Sequence, residues 1–245
     1  MFRDYLLLLL VGHVLGDFYI QTEKIAKEKE NSFRWVLKHC FFYLLTMITC
    51  FIPVISLNLI VLVCVVSLLH GIIDVNKFFF QKKYRKSSSS IFLIDQCIHL
   101  FFIVLSAYIC TQKNIVLKEL KIFSDFFDVV NLSEREMCSW ILGMLLIHKP
   151  ANILIQNLIG SYKPEFDNIE IKSDNNIGRV IGTVERVIML LFIYMNQYSA
   201  IGFVLTAKSI ARYDRISKDE KFAEYYLLGT LISTGIVIIC GVLLS

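Results

Sequence analysis

Long apolar runs separated by short polar stretches dominate this chain. Four runs occupy 5–20, 35–54, 57–75 and 91–110. A fifth covers 140–159, a sixth opens near Gly178 and continues past Phe203, and a seventh covers 226–244. Each is close to the ~20 residues that a helix needs to cross a bilayer. The runs are continuous, not short and alternating, which argues for helices and against a membrane β-barrel. Pro53 and Ser56 mark a tight turn between the second and third runs, and Pro150 is expected to kink the fifth. The pattern predicts an all-α, polytopic transmembrane helix bundle of about seven membrane segments. Its expected parts are a four-helix membrane half over 1–110, an extracytoplasmic amphipathic connector over 111–136, and a second membrane half over 137–245. The stretch 117–127 of the connector is amphipathic enough to rest on a membrane surface.

Composition supports a lipid solvent. Of 245 residues, 56% are hydrophobic, and the mean hydropathy is +0.62, more apolar surface than a water-soluble domain can hide. The first run carries His13 and Asp17, and no small-residue cleavage site comes after it. It is therefore expected to remain as a span and not to act as a signal peptide. The seven cysteines include no CxxC pair and mostly lie in apolar runs, as small thiols facing protein or lipid would.

Charge predicts orientation. Lys24, Lys27, Lys29 and Arg34 come after the first run, and Lys77, Lys82, Lys83, Arg85 and Lys86 after the third. The positive-inside rule places both loops in the cytoplasm and the N-terminus outside. Strict alternation would then put Lys208, Arg212, Arg215, Lys218 and Lys221 outside, against that rule. A break near 196–199, with 200–211 returning as a short or re-entrant segment, resolves the conflict, and either seven or eight membrane segments fits. The expected location is a cytoplasmic (inner) membrane, crossed several times.

The polar residues inside the first four runs carry the chemistry. His13 and Asp17, His70 and Asp74, and Asp95 and His99 are each spaced i, i+4, so each pair shares a helix face. His39 opens the second run. In an antiparallel bundle all seven groups fall at one depth, in the cytoplasmic half of the bilayer, where a four-helix core can gather them. Ionisable residues at that depth are costly without partners. Imidazole and carboxylate together suit a divalent metal, zinc first, with iron or manganese as alternatives. The expected ligand set is His13, Asp17, His39, His70, Asp74, Asp95 and His99, with Asp17 or Asp95 serving as general base. The blander reading is that these pairs only tie helices together. That reading fits His39 best when it is taken alone, because it lies near the interface.

The second half carries Arg179, Glu185, Arg186, Lys208, Arg212 and Glu224. Interhelical ion pairs such as Glu185 with Lys208 explain them. Alternatively, Arg179, Arg186, Lys208 and Arg212 cradle an anionic group such as phosphate. His148 has no acidic neighbour one turn away and is not expected to be a ligand. There is no P-loop, dinucleotide fingerprint or GxSxG elbow. The basic loop 82–86 is expected to meet lipid headgroups and not a specific nucleic acid sequence.

The run His13-Val-Leu-Gly16-Asp17-Phe18-x-x-Gln21, with Lys27 after it, resembles the start of a bacterial membrane family, domain of unknown function 3307. His70-x3-Asp74-x2-Lys77 and Asp95-Gln96-x2-His99 resemble its next blocks. Gly178-Arg179 through Glu185-Arg186, 200–212 and Glu224-Tyr225-x2-Leu228-Gly229-Thr230 resemble later ones. The resemblance implies membership and supplies no activity, although the His/Asp blocks are loosely similar to those of membrane-bound metal-dependent hydrolases.

Three functions are compatible with these residues. One is a metal-dependent membrane hydrolase taking a lipid or phosphoester substrate from the cytoplasmic side. Another is an ion channel or transport-type effector in stress or phage defence, and the last is a structural membrane subunit. Expected partners are membrane lipids, further copies of the chain, and a cytoplasmic anionic ligand or protein.

Overall fold

The computed structural model describes residues 1–54, 56–84, 89–162 and 171–244. Arg85 and Lys86 of the basic loop lie outside them. The described residues form helices and short connections, with no strand. The chain forms two compact units, Met1–Leu142 and Gly143–Ser245.

In the first unit, α1 (Phe2–Val14) continues into a π-helical turn, Leu15–Ile20. The chain extends at Gln21, and Thr22 caps α2 (Glu23–Asn31) by accepting from the Ile25 N–H at 3.3 Å. This break turns α2 by 84° from α1. Then come α3 (Phe33–Phe51), α4 (Leu57–Tyr84) and α5 (Ser89–Gln112). Helix α1 packs on α3 and α5, and α4 packs on the same two, so α1, α3, α4 and α5 close a four-helix ring. Pro53 ends α3 through one 3-10 turn, as the sequence predicted.

The ring is layered along its axis. One end is apolar, built from Tyr5, Leu9, Met47, Phe51, Leu59 and Ala107 among others. The opposite end holds the buried histidines and aspartates. Meanwhile the outward faces are apolar and open: Phe41, Leu68 and Phe101 are each more than 60% exposed. Polar residues inside and large apolar residues outside is the arrangement that a lipid solvent rewards.

The connector belongs to this first unit. The Leu120 N–H donates to the Pro53 carbonyl at 2.8 Å, and the Tyr5 hydroxyl donates to the Ile115 carbonyl. Within the connector, α6 (Lys121–Val130) is amphipathic as expected, with Ile122, Phe126 and Val129 exposed along one side. Asn131 ends it in the left-handed conformation at φ 51°, where asparagine is tolerated better than most residues.

Helix α7 (Glu134–Ile147) leads on to α8 (Lys149–Ile159) through a break at His148, next to Pro150. The expected kink is therefore present. The second unit adds α9 (Ile171–Tyr194), α10 (Tyr198–Ile210), α11 (Tyr213–Lys218) and α12 (Glu220–Leu244). Asn196, at φ 57°, sits in the turn between α9 and α10. The sixth run is thus broken into two helices, at the place where the charge conflict requires a break. Helix α9 packs on α8, α10 and α12.

Among the described residues, five helical runs are long and apolar enough to cross a membrane: Phe33–Val54, Leu57–Lys83, Ser89–Gln112, Glu134–Ile159 and Glu220–Leu243. The count is six if the bent pair of α1 and α2 forms one span. These runs mark a membrane protein. The cysteines are all free thiols; Cys110 and Cys240 are buried, while Cys64 and Cys97 are exposed on the outward face.

Candidate metal centre

The seven histidines and aspartates singled out in the sequence come together inside the four-helix ring. His13, His39, His70, Asp74, Asp95 and His99 are each at most 6% exposed, and Asp17 is 8% exposed. Helix α1 and its π-turn supply His13 and Asp17, α3 supplies His39, α4 supplies His70 and Asp74, and α5 supplies Asp95 and His99. Each i, i+4 pair does share a face: His13 Nε2 lies 3.9 Å from Asp17 Oδ2, His70 Nε2 3.8 Å from Asp74 Oδ2, and His99 Nδ1 3.8 Å from Asp95 Oδ1.

His39 sits at the middle of the cluster, not at its edge. Its Nε2 is 3.1 Å from Asp17 Oδ1, 3.2 Å from His70 Nε2 and 3.3 Å from Asp74 Oδ2. One ring N–H can serve only one of these three acceptors. His70 Nε2 is in turn 3.4 Å from Asp17 Oδ1. Four donor atoms from four residues therefore face one another: His39 Nε2, His70 Nε2, Asp17 Oδ1 and Asp74 Oδ2. Ligands at about 2.0 Å from a tetrahedral ion stand about 3.3 Å apart. The five separations measured among these atoms, from 3.1 to 3.8 Å, bracket that edge.

Further donors flank this quartet. His13 with Asp17 and His70, and Asp74 with Asp95 and His99, also place one ligand atom each within 4.8 Å of the others. His13 Nε2, His99 Nε2 and Asp95 Oδ1 are buried without a hydrogen-bond partner. Gln96 ties the two sides together, its amide donating to Asp17 Oδ2 at 3.3 Å.

Two lysines and a tyrosine complete the centre. The Lys29 ammonium, carried in by α2, donates to Asp74 Oδ2 at 3.1 Å, and Lys77 donates to Asp95 Oδ2 at 2.7 Å. From the sequence, Lys29 counted only as a loop charge; the 84° turn of the chain after Ile20 is what brings it to Asp74. Tyr43 lies one helical turn beyond His39, and its hydroxyl is 3.2 Å from His13 Nδ1. The His39-x3-Tyr43 spacing was the signal for it.

The α1 backbone comes very close to α3. A Cβ on Gly16 would stand 2.6 Å from Tyr43 Cδ2, and one on Gly12 2.5 Å from Met47 Sδ. Only glycine allows this approach. Asp17 lies inside the π-turn, a wide turn often found at functional positions.

The candidate anion residues of the second unit are placed differently. Arg186 is buried, and it donates to the Ile147 carbonyl and Asn152 Oδ1 at 2.6 Å each, and to Ser233 Oγ and Thr183 Oγ1 at 3.2 Å each. Lys208 pairs with Glu185 at 2.6 Å. Arg179 is exposed on α9, and Arg212 starts α11. Protein acceptors thus take up most of the Arg186 guanidinium, and Lys208 is engaged with a carboxylate.

Comparison with known proteins agrees with the motif reading for the blocks around His13, His70 and Asp95; the blocks at 178–186, 200–212 and 224–230 lie outside the matched segment. No curated protein and no solved structure matches the chain. Residues 5–125, which carry all seven His and Asp groups, Lys29 and Lys77, match the family model described as protein of unknown function (DUF3307), and this segment is a member of that family.

Proposed function

We propose that this chain is a membrane-embedded, metal-dependent hydrolase of the cytoplasmic membrane, acting on a lipid or phosphoester-like substrate from the cytoplasmic side. The observation that carries this reading is that His39 Nε2 and His70 Nε2 stand 3.2 Å apart and each lies within 3.1–3.8 Å of Asp17 Oδ1 and Asp74 Oδ2. Zinc suits two imidazoles and two carboxylates, with iron or manganese as alternatives. The ligand set is drawn around His39, and His13 and His99 stand beside it. A cation held there by His39, His70, Asp17 and Asp74 would lower the pKa of a bound water and polarise the scissile group.

The chain's own groups supply the remaining chemistry. Asp95 is held at Oδ2 by Lys77 and leaves Oδ1 buried and unpartnered. It is the general base that takes the proton from the attacking water. The water oxygen forms the new bond, the ester oxygen leaves, and the proton passes from Asp95 to that leaving oxygen. Gln96 links Asp17 to the base. Tyr43 orients His13 and supports His70, as outer partners orient metal ligands elsewhere.

Helix α1 and the α9–α10 pair are the membrane elements that would complete a seven-segment topology with the N-terminus outside. The positive charges after α1 and at the end of α4 favour that orientation.

Elemental analysis of the purified full chain tests the reading. We expect one zinc, iron or manganese per chain, and none in His70→Ala or His39→Ala. Wild-type protein without stoichiometric metal, after purification in metal-supplemented buffer, refutes the reading.

A further inference from the structure

A cavity of about 30 Å³ opens beside the quartet, lined by Lys29, Val36, Asp74, Lys77, Phe78 and Gln81 with Glu30 at its rim. This volume holds about two water molecules. It lies where α2 passes the end of α4, so it reaches Asp74 from the side on which α2 covers the bundle. Its walls include both ammonium groups of the centre. An ammonium has three N–H donors, and each of these spends one on a carboxylate, Lys29 on Asp74 and Lys77 on Asp95. The lysine side chains are 14% and 18% exposed, while the carboxylates they touch are almost wholly covered.

Charge decides what this cavity takes. Asp17, Asp74 and Asp95 bring three negative charges, and Lys29 and Lys77 return two positive ones. A divalent cation in the quartet is neutralised by Asp17 and Asp74. Asp95 and Lys77 neutralise each other. Lys29 is then left as a surplus positive charge beside a bound cation. Uncompensated charge in such a covered setting is costly, and a counterion of the opposite sign relieves the cost. Glu30 does not supply it, because its side chain is exposed to solvent and its field is screened there.

We propose that this cavity is the anion subsite of the centre, and that the substrate presents a phosphate group to Lys29 and Lys77 within reach of the metal. This inference rests on the metal reading for its charge balance. It places the anion in the first unit and not at Arg186 and Lys208. Phosphate suits this chemistry because its several oxygens can accept from two ammonium groups at once, with the rest of the group at the open mouth of the cavity. The same chemistry is offered by free inorganic phosphate and by the phosphate of a lipid headgroup.

Calorimetric titration of the full chain in detergent tests this, with and without one equivalent of zinc. Inorganic phosphate is one probe. Nanodiscs of phosphatidylcholine with and without phosphatidic acid are the second, read as the shift in unfolding temperature. Phosphate is expected to bind the zinc-loaded wild type, at least about tenfold more weakly to Lys29→Gln and to Lys77→Gln, and normally to Lys29→Arg. Both Gln variants should keep their zinc by elemental analysis. Stabilisation by phosphatidic acid with no binding of inorganic phosphate would assign the site to a lipid headgroup, provided that Lys29→Gln abolishes it. If zinc is bound and neither probe binds, or if Lys29→Gln and Lys77→Gln bind like wild type, the subsite is overturned and the metal reading stands. If phosphate binds through Lys29 in a chain that holds no zinc, the anion site stands, but its charge balance and the metal reading both fall. Failure of both removes both.

Discussion

The Tyr43 ring lies face to face with the His70 imidazole, their centroids 3.7 Å apart and their planes within 1° of parallel. The same tyrosine reaches His13 through its hydroxyl. One side chain of α3 therefore fixes the orientation of histidines on two other helices.

Truncation of that ring separates support from hydrogen bonding. Tyr43→Ala is expected to weaken metal binding by about 10–100-fold, the usual cost of losing an orienting partner. Tyr43→Phe keeps the stack and should lose much less. Competition with a chelating dye measures both.

Gly16→Ala places a methyl group against the Tyr43 ring. Overpacking of this kind costs about 1–3 kcal/mol, and here it pushes Tyr43 off His70. Lower thermal stability and lower metal content should appear together. Gly202→Ala is the control, because nothing stands within 4 Å of its Cβ position. It should behave like wild type in both measurements.

Arg186→Met removes a buried guanidinium and strands the Ile147 carbonyl and Asn152. Unpaired buried polar groups cost about 1–3 kcal/mol each, so the variant should unfold at distinctly lower temperature in detergent. Arg186→Lys should not rescue it, because one ammonium cannot reach Ile147, Asn152 and Ser233 together.

Removal of metal should destabilise the fold. A ligand at a hundredfold excess over its dissociation constant stabilises by about 2.7 kcal/mol. Chelation should lower the unfolding temperature of wild type, and added zinc should restore it. His39→Ala should show no response to either treatment.

Much of the centre was legible in the sequence because helical periodicity is a local property. Three i, i+4 pairs and an antiparallel order of runs suffice to place six groups at one level. The central position of His39 was not legible. Seen alone, it is a histidine near the start of an apolar run, the place where water would ordinarily reach it. The covering helix α2 removes that water, and α2 takes its direction from a turn at 20–22 that no periodicity encodes. Lys29 was misjudged for the same reason. In the second half, hydropathy alone joins α9 and α10 into one run; the conflict with the charge rule is what pointed to a break near 196–199, and Asn196 does sit in a left-handed turn there. Of the two readings offered for Glu185 and Lys208, the ion pair is present at 2.6 Å. The break at His148 frees a backbone carbonyl for Arg186, a partnership that crosses 39 residues and leaves no trace in local pattern.

The wide turn at Leu15–Ile20 accommodates one residue more than an α-helix would over the same length. The phase of every later residue in the segment depends on that surplus. Deleting Leu15 would let the segment relax to ordinary winding, but each residue removed from a helix rotates the downstream chain by about 100°. Either the Asp17 carboxylate or the departure direction of α2 would then be lost. The length of this segment is therefore as constrained as its chemistry, and insertions or deletions there should be far less tolerated than substitutions.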